Sequence, residues 1–159
     1  MITMIRARNP KTDDTEILRL IQTELLPLSY SVHPLDAQVI RELPKRFRWG
    51  HTYVAAAGKT SEPYGFIHFE ITGNILYLDM LVIHPHHRNR NWGKRLMASC
   101  EGYGQAHQCI AARLFVDEIN TKALHFYTRL GYHITRYYPD LKCYEMIKPL
   151  PLAQPALND

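Results

Sequence analysis

The sequence predicts a mixed α/β domain, with a central, mostly antiparallel sheet of about seven strands flanked by about four helices. Three observations predict it. Runs with two-residue alternation take turns with runs of 3.6-residue spacing, in the order strand, helices, three strands, helix, strand, helix, two strands. Gly, Pro, Asn and Asp stand at the joints between them. The 159 residues, 46% hydrophobic and 21% charged, suit one domain with a core of its own.

Ile2 to Ala7 alternates as a first strand. Asp13 or Asp14 is placed to cap a helix whose apolar face is Ile17, Leu18, Ile21 and Leu25, and Pro27 ends it. Leu28 to His33 reads as a loop and Pro34 to Leu43 as a second short helix. Thr52 to Ala57, Gly65 to Ile71 and Ile75 to Ile83 read as an antiparallel meander, joined at Lys59 to Pro63 and at Thr72 to Asn74. A helix from Trp92 to His107 carries Leu96, Met97, Cys100 and Tyr103 on one face, and Gly102 and Gly104 weaken its end. Ile110 to Val116 is a short strand. Asn120 caps a helix from Thr121 to Leu130, and Gly131 stops it. Tyr132 to Tyr138 and Lys142 to Ile147 close the sheet. Residues 1–148 are expected to form the domain, with 149–159 a loose, proline-containing tail.

Composition excludes several classes. No apolar run approaches the length of a membrane span. The N-terminal stretch lacks the long apolar core of a signal peptide, so a cytoplasmic location is expected. Cys100, Cys109 and Cys143 match neither a disulfide set nor a zinc signature, and read as small buried thiols. The net charge of +4 concentrates between Arg88 and Arg95. So compact a cluster suits one polyphosphate ligand better than a nucleic acid, and few aromatics interleave with it as a stacking platform.

That cluster lies in the most informative stretch, Leu81 to Met97. An apolar run stops at Pro85, a basic turn-rich loop follows, and a helix begins near Gly93. Unpaired N–H groups at a helix start, together with the helix dipole, favour an anion there. The stretch resembles the acyl-CoA-binding motif of the GNAT acetyltransferase superfamily, Arg/Gln-x-x-Gly-x-Gly/Ala. Arg88 fills the first position and Gly93 the last, while Asn91 stands where the family has its first glycine. Asn is the residue other than Gly that best tolerates left-handed backbone.

Asn120 to Tyr132 is a second point of resemblance, similar to the family's Asn-x-x-Ala-x-x-Phe-Tyr-x-x-x-Gly-Phe segment. A third is weaker. Tyr137 and Tyr138 before a turn, then Tyr144 to Lys148, look like the end of GNAT enzymes that acetylate protein N-termini, without that turn's glycine. The order of elements matches the GNAT fold from Thr3 to Lys148.

The spacing of the candidate ligands predicts no metal, and the resemblance implies an acetyl-CoA-dependent N-acetyltransferase. It implies that the loop of Arg88, Asn89, Arg90, Asn91, Trp92, Gly93 and Lys94 holds the diphosphate. It further implies that main-chain groups of Leu81, Val82 and Ile83 pair with the pantetheine arm, that Asn120 contacts CoA, and that Tyr127 also touches it as general acid for the departing sulfur. Taken by itself, Tyr127 also fits a core aromatic, and Asn120 a plain helix cap.

Acyl transfer to an amine sets its own demands. An ammonium with a pKa near 10.4 is neutral in roughly one molecule in a thousand at pH 7, so a base must take its proton. Asp79 is the first choice for that base, an acid inside an apolar strand, on the face expected to carry Tyr77, Leu81 and Ile83. The alternative for it is an exposed edge or a pairing with a nearby Arg. Glu70, His68 and Glu118 are weaker candidates, and a water chain is another. Leu26 to Trp49, with Tyr30, His33 and Arg46, is expected to shape the amine pocket, with Glu70 as a further substrate contact. His84, His86 and His87 fit no common zinc spacing, and Trp92 is expected to pack under the loop.

The acceptor stays open: a protein N-terminus, a lysine or a small amine. So does a homodimer through an exposed sheet edge. A non-catalytic acyl-CoA sensor on the same fold is the alternative function. Neither nucleic acid nor membrane is expected as a partner.

Overall fold

A buried carboxylate decides how the chain enters its first helix. The computed structural model describes residues 4–28 and 37–152. Strand β1 (Met4–Ala7) leads to α1 (Pro10–Leu20), capped by Asn9, whose side chain accepts from Lys11 N–H at 3.1 Å. Asp13 and Asp14, expected as caps, lie inside the first turns instead. Asp13 is fully buried and takes two hydrogen bonds from Arg6, at 2.7 and 2.9 Å, and one from Asn9 N–H at 2.7 Å. A carboxylate removed from water needs that many donors.

After Leu20 the helix widens to a π turn at Ile21–Leu25 and tightens to a 3-10 turn at Leu26–Leu28, where Pro27 supplies no N–H. Helix α2 (Ala37–Arg46) ends at Arg46 rather than at the expected Leu43. Strands β2 (His51–Ala56), β3 (Pro63–Thr72) and β4 (Ile75–Ile83) form the expected meander, with β1 antiparallel on the β2 edge. Helix α3 (Trp92–Ala106) then crosses over, so β5 (Ala111–Asp117) runs parallel to β4. Helix α4 (Thr121–Arg129) precedes β6 (His133–Tyr138) and β7 (Cys143–Pro149). The seven-stranded order is β1-β2-β3-β4-β5-β7-β6.

Two cores cover the two faces of this sheet. Leu96, Met97, Cys100, Tyr127 and Tyr132 pack on Leu76, Leu78, Leu114 and Met146. Ile17, Leu20, Ile21, Leu43 and Phe47 pack on Val54, Phe66, Met80 and Val82. Leu150 belongs to the first core, and its N–H donates to Ile110 at 2.8 Å. The chain therefore stays packed past Pro149, where a loose extension was expected.

The membership of these cores exposes a break in β4. Strict alternation would put Leu76, Leu78, Met80 and Val82 on one face. The first two lie in one core and the last two in the other. The cause is a β-bulge: His68 pairs with Met80 and Phe69 with Leu78, leaving Asp79 without a partner. This corrects the expected face of Asp79. Leu81 and Ile83 pack against the α3-side core, whereas Asp79 reaches Arg46 of α2.

Candidate active site

Strands β4 and β5 pair over three positions only, Ile75 with Ala111, Leu76 with Ala112 and Tyr77 with Arg113. Beyond Tyr77 they separate, just before the bulge. Among the described residues, Leu78 to Ile83 have no strand partner on the β5 side. An open edge of this kind accepts an extended, amide-bearing arm as an added strand. Leu81, Val82 and Ile83 lie along it. The Ile83 carbonyl is already engaged, accepting from Arg88 Nε at 3.1 Å.

The loop after β4 leaves a run of main-chain amides without main-chain acceptors among the described residues. His84 caps a short 3-10 turn, Pro85–His87, by accepting from His86 N–H at 3.0 Å. Asn89 and Asn91 then take left-handed conformations, with φ of 62° and 64°. Asn91 occupies the cap position of α3 but makes no side-chain cap hydrogen bond. The first N–H to enter the helical ladder is that of Arg95, on the Asn91 carbonyl at 3.0 Å. No described main-chain carbonyl takes the N–H groups of Asn89 to Lys94. Successive free amides at the positive end of a helix form a concavity for phosphate oxygens.

Its rim is basic. Arg90 and Lys94 are exposed. Arg95 lies 4.5 Å over the Trp92 ring, and Trp92 is buried beneath the loop as expected. Arg88 is less available than its position in the motif implies, because its guanidinium pairs with Glu24 at 3.0 Å. His87 stacks on Tyr64 with ring centres 3.8 Å apart. Among the described residues no group of three or more metal-ligating side chains assembles, the three loop histidines included.

The second motif docks on the first. Asn120 caps α4, accepting from Ala123 N–H at 3.2 Å. A Cβ built on Gly93 would lie 3.3 Å from Phe126 Cζ and 3.9 Å from Ile83 Cγ1. Strand end, loop and α4 thus meet at Gly93, where a side chain would push them apart. Tyr127 is buried in the same core, edge-on to Phe126 at 5.2 Å and to Tyr132 at 5.7 Å. Burial pushes its phenol well above the ordinary range, so it stays protonated as a donor.

Asp79 faces the other side. It pairs with Arg46 and its side chain is 11% exposed. Burial raises its pKa above the ordinary carboxylate value, and the Arg46 charge and hydrogen bond only partly oppose this. Glu70 lines an open groove of about 340 Å³ with Thr72, Ile75, Tyr77, Arg113 and Phe115. Tyr30 and His33, expected in the amine pocket, lie outside the described residues.

The weaker base candidates have other engagements. Tyr137 donates to Glu118 at 2.5 Å. His68 is buried beside Thr52, and burial pushes its pKa down to about 4. Sequence reasoning missed three relationships: the bulge at Asp79, the Glu24 clamp on Arg88 and the Tyr64 stack on His87. The only local sign of the first was an acid within an apolar strand.

The profile of the acetyltransferase (GNAT) family matches residues 16–132. No curated protein matches the sequence. Among solved structures, Ard1 from Thermoplasma volcanium is similar with a TM-score of 0.72 and 23% identity, over 95% of this chain and 99% of that one. The PaiA N-acetyltransferase from Thermoplasma acidophilum, in complex with coenzyme A, gives 0.72 and 18%, over 94% and 99%. The ribosomal-protein-S18-alanine N-acetyltransferase from Escherichia coli gives 0.68 and 12%, over 99% and 100%.

Proposed function

The chain belongs to the acetyltransferase (GNAT) family and is an acyltransferase, and from that premise we propose that it moves an acetyl group from acetyl-CoA directly to a primary amine. The observation that carries this reading is the placement of the Asn89–Lys94 amides beside the unpaired edge of β4. One feature suits a diphosphate and the other the amide-bearing arm attached to it. Acetyl-CoA supplies the activated thioester carbonyl.

In this reading the loop amides and the exposed Arg90 and Lys94 hold the phosphates. Leu81, Val82 and Ile83 align the arm through their main chain, and a β4 N–H steadies the charge that develops on the carbonyl oxygen. Asp79 takes the proton that must leave the amine nitrogen as its lone pair bonds to carbon. Tyr127 donates its hydroxyl proton to the sulfur as the carbon–sulfur bond breaks. A thiol pKa near 8.5 makes that help modest, so much of the rate comes from holding amine and thioester in attack geometry.

The resemblance to enzymes with protein substrates makes a peptide or protein N-terminus one acceptor to test first, beside lysine and small amines. A homodimer through an open sheet edge fits the exposed β6, whose outer side has no strand partner among the described residues. Three buried, unpaired cysteines suit a reducing, cytoplasmic setting. No helix of the described residues is long and apolar enough to cross a membrane.

Calorimetry with acetyl-CoA, followed by thiol release across a panel of amines, tests the proposal. Binding with turnover on at least one amine is expected. Binding without turnover on any amine would favour the acyl-CoA sensor, a reading to which the Arg46–Asp79 pair lends support by occupying the proposed base. Absence of binding would remove both.

A further inference from the structure

The groove that Glu70 lines sits on one face of the sheet, next to the position of Asp79 on β4. Leu76 and Leu78 point into the α3-side core, so Ile75 and Tyr77 face the opposite side, toward which Asp79 reaches Arg46. The same alternation holds on β5, where Leu114 and Val116 enter that core and Arg113 and Phe115 do not. Glu70 pairs with Tyr77 across β3 and β4 and shares its face. The groove, of about 340 Å³, lies among these side chains.

Its wall is aromatic. Tyr77 and Phe115 meet edge to face with ring centres 6.1 Å apart, and Tyr138 on β6 extends the row, 5.9 Å from Phe115. Ring faces of this kind attract a cation. Two charged side chains line the groove, Glu70 and Arg113. Arg113 is already balanced, because its Nε lies 3.0 Å from a Glu145 oxygen and its guanidinium lies 5.0 Å over the Phe115 ring. Glu70 has no hydrogen bond or ion pair among the described residues. The groove therefore carries one uncompensated negative charge beside aromatic rings.

Its position matters as much as its lining. Tyr77 and Arg113 form the last ladder pair before β4 and β5 separate, so the groove opens at the fork of the cleft. A carboxylate stabilises an ammonium beside it and so opposes loss of its proton. Glu70 is thus unsuited to the nitrogen that must react and suited to one that stays charged. From Tyr77 to Asp79 is about 7 Å along an extended strand, a distance that a chain of roughly six single bonds covers.

We propose that Glu70, with the Tyr77 and Phe115 rings, determines acceptor specificity: it seats a second cationic group of the acceptor, about six bonds from the amine that is acetylated. A linear diamine and a peptide that begins with lysine share that chemistry. Which nitrogen reacts rests on the reading of Asp79 as base, whereas the cation seat does not.

NMR titration of the full chain with 1,5-diaminopentane, pentylamine and 5-aminopentanoate, at fixed pH and ionic strength, tests the seat without turnover. The three probes differ only in whether the far end is a cation, neutral or an anion. The diamine is expected to bind about 10-fold more tightly than pentylamine, shifting the Glu70 carboxyl and the Tyr77 and Phe115 ring signals, with 5-aminopentanoate weakest. Glu70→Gln, of the same shape, is expected to abolish most of that preference, and Glu70→Lys to turn it toward 5-aminopentanoate. Equal affinity for all three in the native chain would overturn the proposal, as would a preference that survives Glu70→Gln. The same order is expected in kcat/KM, where an equal loss on every amine in Glu70→Gln would mark a merely structural role and overturn it too. Comparison of the diamine with a Lys-Ala dipeptide tells the small amine from the peptide. Should no amine turn over while the binding order holds, acetyl transfer is lost and the seat stands. Turnover without preference for the diamine or the dipeptide removes the seat and leaves acetyl transfer.

Discussion

A Cβ on Gly93 would stand 3.3 Å from the ring of Phe126, so two motifs far apart in sequence touch at the first turn of α3. The contact ties the loop before α3 to the helix that carries Tyr127. Gly93→Val is therefore expected to push α4 away from Ile83, raising the acetyl-CoA dissociation constant at least ~10-fold and lowering Tm by several degrees. Calorimetry and thermal melts measure both. Native affinity in the variant would separate the loop from α4.

Asn91 tests the loop itself. Its φ of 64° costs an ordinary side chain about 1 kcal/mol or more, and glycine nothing. Asn91→Gly is expected to bind acetyl-CoA at least as tightly as the native chain. Asn91→Val is expected to bind about 10-fold or more weakly, with the same Tm within a few degrees. Equal affinity in all three would show that loop shape does not govern the site.

Tyr127 and Asp79 separate by their pH behaviour. Burial raises the Tyr127 pKa, so the donor is present across the working range. Tyr127→Phe is expected to lower kcat about 10-fold with little change in KM for acetyl-CoA, and the pH profile keeps its shape. Asp79 also has a raised pKa, through burial. Activity in the native enzyme is expected to fall as pH drops through that value, because the protonated acid cannot accept. Asp79→Asn is expected to lose this limb along with most of kcat. Persistence of the limb would assign it to another group.

Acid stability has two sources of the same sign. The pKa of His68 is about 4 in the folded chain against 6.5 for the free side chain. The unfolded chain thus binds the proton more readily. Stability from this group is full above 6.5 and declines as pH falls toward about 4, by up to about 3 kcal/mol. For Asp13, burial alone would raise the pKa, but bonds from Arg6, Asn9 and Thr12 outweigh it and the value is lowered. Its contribution is full above the ordinary carboxylate value and is lost only in stronger acid. His68→Gln is expected to flatten the dependence of Tm on pH between 6.5 and 4, and Asp13→Ala to cost about 3 kcal/mol at neutral pH. Denaturant titrations across that range measure both.

The legible features were those with a local cause. The helix over Asn120 to Arg129 was readable because a cap, an apolar spacing and a stopping glycine all lie within a dozen or so residues. The meander was readable for the same reason, since alternation and turns are neighbours in sequence. The α1 cap was misplaced because Asp13 looks like a cap until Arg6 is known to reach it. The face of Leu81 and Ile83 was misassigned because one extra residue in β4 reverses the alternation, and its one local mark, an acid within an apolar strand, does not give the register.

By itself the sequence determined the order of elements, the left-handed-tolerant basic loop and the pairing of motifs that points to acyl transfer. The first two follow from backbone preference and side-chain periodicity, which act over a few residues, and the third from the resemblance of the two motifs to the GNAT family. Only the tertiary structure decided that Asp79 stands in a bulge, that Arg46 reaches it and that Phe47 packs on the His68 ring. Those depend on strand register and on how a helix docks, and both are settled by burial between residues distant in the chain.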